Sequence, residues 1–310
     1  MLLSLSKSEI AVLKVLCTGG FSVSSLAGGL SVKPSFVSRV LSSLKAKGLV
    51  VVAEKQGTRL LVGLSPASHA QLFKQLFQSR PNAGIESWLS GRALDVLVVV
   101  AVEQGATSKR LMQECSSSRP VVYRALKSLK SVGAVASSNG VYRAADRLVF
   151  EFANAFADNV QLILQKEIVG RGYAVSVRVR KRVVVRCEAR EAPVFCTLTG
   201  LNALKEAGLE SLGTSYFDYY FSLNKKRCEL SLDEHFIHAL LLTSLQQHQD
   251  MPVLGMFLKT NLVKKRSLGA DAKALRVARL LQLAKEYGVE IQMSELRKSV
   301  EFYDKMRGFE

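Results

Sequence analysis

The stretch SRVLSSLKAKGLV at 38–50 returns as YRALKSLKSVGAV at 123–135, and no other feature of the chain restricts its fold as tightly. A recurrence of this kind means one supersecondary unit made twice. At a constant offset of 85, without gaps, Gly20 falls on Gly105, Leu26 on Leu111, Ser31 on Ser116 and Arg39 on Arg124. Leu41, Ser43, Leu44, Lys45 and Gly48 fall on Leu126, Ser128, Leu129, Lys130 and Gly133. Nine of the twenty positions in 31–50 are identical in 116–135, and shared leucines alone would not bring Arg, Ser, Lys and Gly into register.

Each copy reads as helix, helix–turn–helix and β-hairpin, the order of a winged helix. In the first, SEIAVLKVLC (8–17) puts Ile10, Val12, Leu13, Leu16 and Cys17 mostly on one helical face. A short helix VSSLAGGL, a turn SVKPS and a longer helix SFVSRVLSSLKAKG follow. The long helix gathers Phe36, Val37, Val40, Leu41 and Leu44 on its apolar side, and Ser35, Ser38, Arg39 and Ser42 on the other. Gly48 reads as its left-handed cap. LVVVAE and RLLVGL flank KQGT, a hairpin with a basic tip. In the second copy RALDVLVVVAVE (92–103), SKRLMQEC, the turn SSSRP and VVYRALKSLKSVG occupy the same places, and VASSNGVYRAA turns at Asn139-Gly140. Pro120 suits the opening of the long helix. Pro120, Tyr123, Arg124 and Lys127 make its outer stripe, against a buried Val121, Val122, Ala125, Leu126 and Leu129. Neither 31–50 nor 115–135 contains a single Asp or Glu.

SSLAGGLSVKPSFVSRVLSSLKAKGLV resembles the recognition half of MarR- and ArsR-type winged-helix regulators, over 1–65 and more weakly over 91–145. The resemblance implies the fold and a DNA-binding role, although winged helices also serve as protein-docking modules. In the DNA reading, each long helix enters a major groove. The first offers Ser35, Ser38, Arg39 and Ser42, and the second Tyr123, Arg124 and Lys127. Arg39 and Arg124 are the expected base-edge contacts, because an arginine fork matches guanine. Lys55 and Arg59 in the first wing and Arg143 in the second reach neighbouring backbone or minor groove. Lys33, Lys45 and Arg119 complete the basic surface, and Arg178, Arg180 and Arg182 are candidates from a later hairpin.

The charge agrees with this partner. The 310 residues carry 43 Lys and Arg against 26 Asp and Glu, a net charge of +17, which favours a polyanion. Double-stranded DNA is therefore the expected partner, with a protein partner or a second copy engaged through 146–170 and the C-terminal domain. The length suits two or three domains. Five cysteines form no Cys-x-x-Cys pair, and Cys17 and Cys115 read as small hydrophobes at helix ends. No cofactor or metal is expected, no apolar run reaches membrane-spanning length, and the opening residues read as a first helix rather than a leader. The expected location is the cytoplasm, beside the nucleoid.

A helix at 67–78 and a Pro/Asn/Gly break at 81–84 separate the copies. The nearly all-apolar helical stretch 145–170 reads either as an internal brace or as a dimer helix. YAVSVRVRKRVVVRCEAR then alternates, with Val175, Val177 and Val179 opposite Ser176, Arg178 and Arg180. Together with Arg171, Lys181, Arg182, Arg186 and Arg190, seven basic residues fall in 171–190. This reads as a hairpin with one cationic face, either adding phosphate contacts or lying as a charged, solvated edge.

Beyond it, Thr197 or Thr199 caps a helix, SYFDYYFSL is an aromatic strand, and Ser231 and Glu234 form a capping box. ADAKALRVARLLQLAKEYGVE and MSELRKSVEFYDKM follow as amphipathic helices. TGLNALKEAGL, the aromatic strand, LSLDEHFIHALLL and LLQLAKEYGVE together resemble the C-terminal half of AbiEi-type antitoxins. That family couples a winged helix to such a domain and represses its own operon, whereas this chain carries two winged units. Catalysis is not expected. GTSYFDYYF lacks the second carboxylate of a nucleotidyltransferase, no His-Glu-x-x-His exists, and His235 and His238 read as helix-surface residues.

The expectation is thus an α+β, mostly α chain. Winged helices span 1–80 and 81–145, a linking helix 146–170, and an α-rich α+β domain 171–310. Its expected role is sequence-specific transcriptional regulation, in the manner of an antitoxin-like autorepressor. The alternatives are a non-catalytic winged-helix scaffold and an RNA-binding protein.

Overall fold

The computed structural model describes residues 4–56, 59–170, 172–208, 215–224, 227–245, 251–257 and 270–289, leaving aside the side chains of 53–56, 59, 270–274 and 276. The chain is α+β and mostly α, with small antiparallel sheets, and divides into two compact units at 164/165. Among the described residues, no helix is long and apolar enough to cross a membrane. The predicted helix MSELRKSVEFYDKM and Arg171 lie outside the described residues.

In the first unit the repeat is visible in the element bounds. α1 (Lys7–Leu16), α2 (Val23–Gly29), α3 (Pro34–Ala46) and the hairpin β1 (Val50–Gln56)–β2 (Arg59–Leu64) are followed by α4 (Ser68–Ser79) and the short α5 (Ile85–Trp88). Then α6 (Arg92–Val102), β3 (Ala106–Thr107), α7 (Ser108–Glu114), α8 (Arg119–Ser131) and the hairpin β4 (Val135–Ser138)–β5 (Val141–Ala144) run the same course. Adding 85 to the bounds of α2 and α3 gives those of α7 and α8. Local chemistry explains the coincidence. Ser22 and Thr107 each accept the amide three residues on, opening α2 and α7. Pro34 and Pro120 stand in the first turns of α3 and α8, where a missing N–H costs nothing.

Both long helices end at a glycine with φ +68°, Gly48 and Gly133, a conformation that costs an L side chain about 1–2 kcal/mol. The two sites differ in their surroundings. A Cβ on Gly48 would stand 2.9 Å from Asn159 Oδ1, whereas one on Gly133 meets nothing within 4 Å. Gly133→Ala is therefore expected to cost only the backbone term, about 1–2 kcal/mol. Gly48→Ala costs more, and the urea midpoints of the two variants give the comparison.

The copies are not separate domains. Lys14 pairs with Glu86, Gly91 N–H donates to Leu5 O, and Arg80 bonds both Val132 O and Asp146 Oδ2. The long helix α9 (Arg147–Val169) packs Val149, Phe152, Ala153, Phe156, Ala157 and Val160 at zero exposure. Phe152 lies 6.2 Å from Phe73 of α4, and Asn159 Nδ2 donates to Lys47 O. Of the two readings for 145–170, the brace is what the fold contains. The apolar residues of its first four turns are covered within the chain, whereas Leu162 further along is 55% exposed.

The second unit holds the antiparallel sheet β6 (Ala174–Val179), β7 (Arg182–Cys187), β9 (Phe217–Ser222), β8 (Thr197–Leu198), in that spatial order. With it are α10 (Gly200–Glu206), α11 (Leu232–Leu245), α12 (Met251–Phe257) and α13 (Ala270–Glu286). α11 begins with the expected capping box, Ser231 N–H donating to Glu234 Oε2 and Glu234 N–H to Ser231 Oγ. Thr199 is the N-cap of α10, but its hydroxyl goes elsewhere, to Nδ1 of both His235 and His238. The first turn of α10 is capped from another strand, where Leu201 N–H donates to Asp218 Oδ2 at 3.0 Å.

Two expectations fail here. The hairpin does not carry its cations on one outer face: Arg180 and Arg190 are exposed and Arg178 is half-buried, but two others turn inward. Arg186 is buried in a two-bond ion pair with Asp218, 2.7 Å from Nε to Oδ1, and Lys181 is fully buried. His238 is not on a helix surface. It is fully buried, stacked on Tyr220 with centroids 5.2 Å apart and edge-on to Tyr287. Burial drives its pKa down from near 6.5 to about 3, with His235 and Arg182 adding to the effect. The unfolded chain therefore binds a proton that the folded chain refuses. The associated stability is complete above the ordinary histidine value and is lost as pH falls below it toward 3. Between pH 6 and 5 the unfolding free energy measured in urea is expected to drop with a slope approaching about 1.4 kcal/mol per pH unit. In His238→Phe that slope flattens.

Candidate nucleic-acid interface

The surface in question is built by α3 and α8. Of the nine identities between 31–50 and 116–135, seven have evident structural tasks. Val37, Leu41, Leu44 and Val50, with Val122, Leu126, Leu129 and Val135, are buried core. Ser31 and Ser116 hold positive φ in the turns, and Gly48 and Gly133 hold it at the helix ends. Ser43 and Ser128, read from sequence only as part of the match, tie their helices down, Ser43 Oγ to Glu9 and Ser128 Oγ to Ser87 O. Lys45 and Lys130 are both exposed, and Lys130 reaches Ser137 Oγ and lies over Tyr142. Arg39 and Arg124 remain: both are exposed, and neither has an ion pair or hydrogen bond among the described residues.

The rest of each outer face is also solvent-facing. Lys33, Ser35, Ser38, Ser42 and Lys45 are exposed beside Arg39, and Arg119, Tyr123 and Lys127 beside Arg124. Arg39 lies 6.0 Å from the Phe36 ring and Arg119 5.3 Å from Tyr123, so an aromatic body backs a guanidinium on each helix. Phe36 was assigned to the core by sequence, yet it is half-buried. The Phe–x–x–Arg spacing is the signal that could have placed it beside Arg39. An open groove of about 820 Å3 between α2 and α3 is lined by Ser24, Gly28, Lys33, Ser35, Phe36 and Arg39. The hydroxyl of Ser108, then the Arg119 guanidinium, hold the Tyr123 phenol below its ordinary pKa.

Electrostatics separates these faces from the rest of the unit. Glu9 is taken by Lys47, Glu86 by Lys14, Asp95 by Arg92, Glu103 and Glu114 by Arg110, Asp146 by Arg80 and Glu151 by Arg147. Every one of these pairs lies off the outer faces of α3 and α8. Lys33, Arg39, Lys45, Arg119, Arg124 and Lys127 have no carboxylate partner among the described residues. Cations held apart from acids in this way keep a positive potential available to a polyanion.

The remaining candidates are dispersed. Lys55 and Arg59 sit at the end of the β1–β2 hairpin, and their side chains lie outside the described residues. Arg143 is exposed on β5, its stem packed over Gly105. In the second unit Arg178 donates to Arg180 O, and Arg182 lies over the Tyr287 ring and bonds its hydroxyl. That use of Arg182 inside its own unit takes it away from the role foreseen for it. Among the described residues no group of His, Cys, Asp and Glu has the arrangement of a metal site. A scan of protein-family models finds none that matches this chain, and a search of curated proteins finds no significant relative.

Proposed function

We propose that this protein is a sequence-reading, double-stranded DNA-binding regulator, and that α1–β2 and α6–β5 are two winged helices whose third helices, α3 and α8, enter major grooves. One observation carries the reading. In both copies, a repeated arginine without a structural task stands at the centre of an exposed, acid-free helix face. An arginine fork pairs with guanine O6 and N7, and the neighbouring lysines suit phosphate. The bracing of both copies by α4 and α9 supports it further, since two readers held in one unit need not be ordered again on binding.

Selection of bound sites from random duplex DNA tests the proposal. A recovered motif containing guanines is the expected result, with affinity falling steeply as salt rises because phosphate contacts release counterions. Binding without any selected motif would overturn it. A docking role is favoured by a different observation, the exposure of Val51, Val52 and Leu60 on the first hairpin, at 37%, 49% and 53%. Under that reading, Val52→Ser and Leu60→Ser abolish partner capture and leave DNA binding unchanged.

A further inference from the structure

The two outer faces align at an offset of 85, but they do not carry the same chemistry. Ser35, Ser38, Arg39 and Ser42 face Pro120, Tyr123, Arg124 and Lys127 in the alignment. On α3, Ser38 Oγ donates to Pro34 O at 3.1 Å and Ser42 Oγ to Ser38 O at 3.0 Å. With their protons committed to the helix, these hydroxyls offer lone pairs outward, and so act as acceptors. In a major groove the matching donors are adenine N6 and cytosine N4. On α8 the position of Ser42 holds Lys127, a donor only, whose match is guanine O6 or N7. The position of Ser38 holds Tyr123, an aromatic residue that is 40% exposed with the Arg119 guanidinium 5.3 Å from its ring. An exposed aromatic ring suits a thymine methyl. Pro120 has no side-chain polar atom where Ser35 has a hydroxyl.

We infer that one chain reads a non-palindromic DNA site: each half contains a guanine matched by Arg39 or Arg124, flanked by adenine or cytosine in the α3 half and by a further guanine in the α8 half. The inference rests on the DNA-binding reading above and extends it to the kind of site. Its consequence is directional. A site with unlike halves fixes one orientation of the chain on DNA, whereas a dimer of identical readers on a palindrome is indifferent to orientation.

The experiment is site selection with the full chain and two exchange variants, Ser42→Lys and Lys127→Ser, with the number of chains per site measured by native mass spectrometry. Both positions are exposed, where substitutions rarely disturb folding. The wild-type motif is expected to have unlike halves bound by one chain. Ser42→Lys enriches guanine several-fold in one half only, and Lys127→Ser loses guanine in the other half only. A palindromic motif bound by two chains and unchanged by Lys127→Ser overturns the inference while leaving DNA binding intact. A motif unaffected by either exchange overturns it as well. Binding with no motif at all instead overturns the underlying reading.

Discussion

Arg39→Ala and Arg124→Ala are each expected to weaken binding to the selected duplex by about 1–3 kcal/mol, roughly fivefold to more than a hundredfold. The loss is specific to sequence: the guanine matched by the missing fork ceases to be selected, while the other half of the motif is unchanged. Lys33→Ala and Lys45→Ala behave differently. They lower affinity for all duplexes alike and reduce the slope of log affinity against log salt by about 1 each. Fluorescence anisotropy with matched and mismatched duplexes across a salt series separates the two behaviours. Because Arg39 and Arg124 are exposed and without ion pairs among the described residues, their removal leaves no buried charge behind. Unfolding free energies within about 0.5 kcal/mol of the parent show that the loss is one of contact. Equal loss for every duplex from the arginine variants would place those side chains on phosphate and not on bases.

Asp218→Ala is expected to destabilise the second unit by about 3–5 kcal/mol, since it leaves the Arg186 guanidinium buried without its anion. Asp218 accepts from Arg186 Nε and Nη2 and from the Leu201 amide, so one carboxylate joins β7, β9 and the start of α10. Gly200, at φ +58°, brings α10 so close that a Cβ there would lie 2.7 Å from Asp218 Cβ. The pairing costs desolvation, which is why removing both charges is milder than removing one. Arg186→Met with Asp218→Leu is expected to recover most of the loss, short of the stranded Leu201 amide. Hydrogen exchange at the amides of 217–222, read with urea unfolding, localises the effect to this sheet. An Asp218→Ala protein as stable as the parent would mean that the pair contributes nothing net.

These two predictions lie on opposite sides of what a linear reading reaches. The outer residues of α3 and α8 were legible because a helix face is local: i, i+3, i+4 and i+7 share a side wherever the helix packs. The repeat added a second filter, separating residues kept for folding from residues kept outward, although Ser43 and Ser128 were assigned to their anchoring task only by Glu9 and Ser87 O. The alternation in 174–187 was legible too, but only as a period. Whether its charged residues meet solvent depends on what packs on each face of the sheet and which groups stand beside them on the neighbouring strand. That choice rests on pairing 182–187 with 217–222, a contact no local pattern encodes. His235 and His238 show the same limit, since their three-residue spacing fits a surface or a core equally well.

By itself, then, the sequence determined the duplicated helix–helix–helix–hairpin unit, its caps and turns, and the acid-free stripes of its long helices, because all of these are set by residues within a few turns of one another. Tertiary structure alone decided that α9 is a brace, that Arg186 and Lys181 turn inward, that His238 stays neutral in the core, and that the paired carboxylates of the first unit lie off the outer faces of α3 and α8. Those outcomes depend on which apolar surfaces and opposite charges meet across long separations, where burial free energy and desolvation, not local periodicity, select the arrangement.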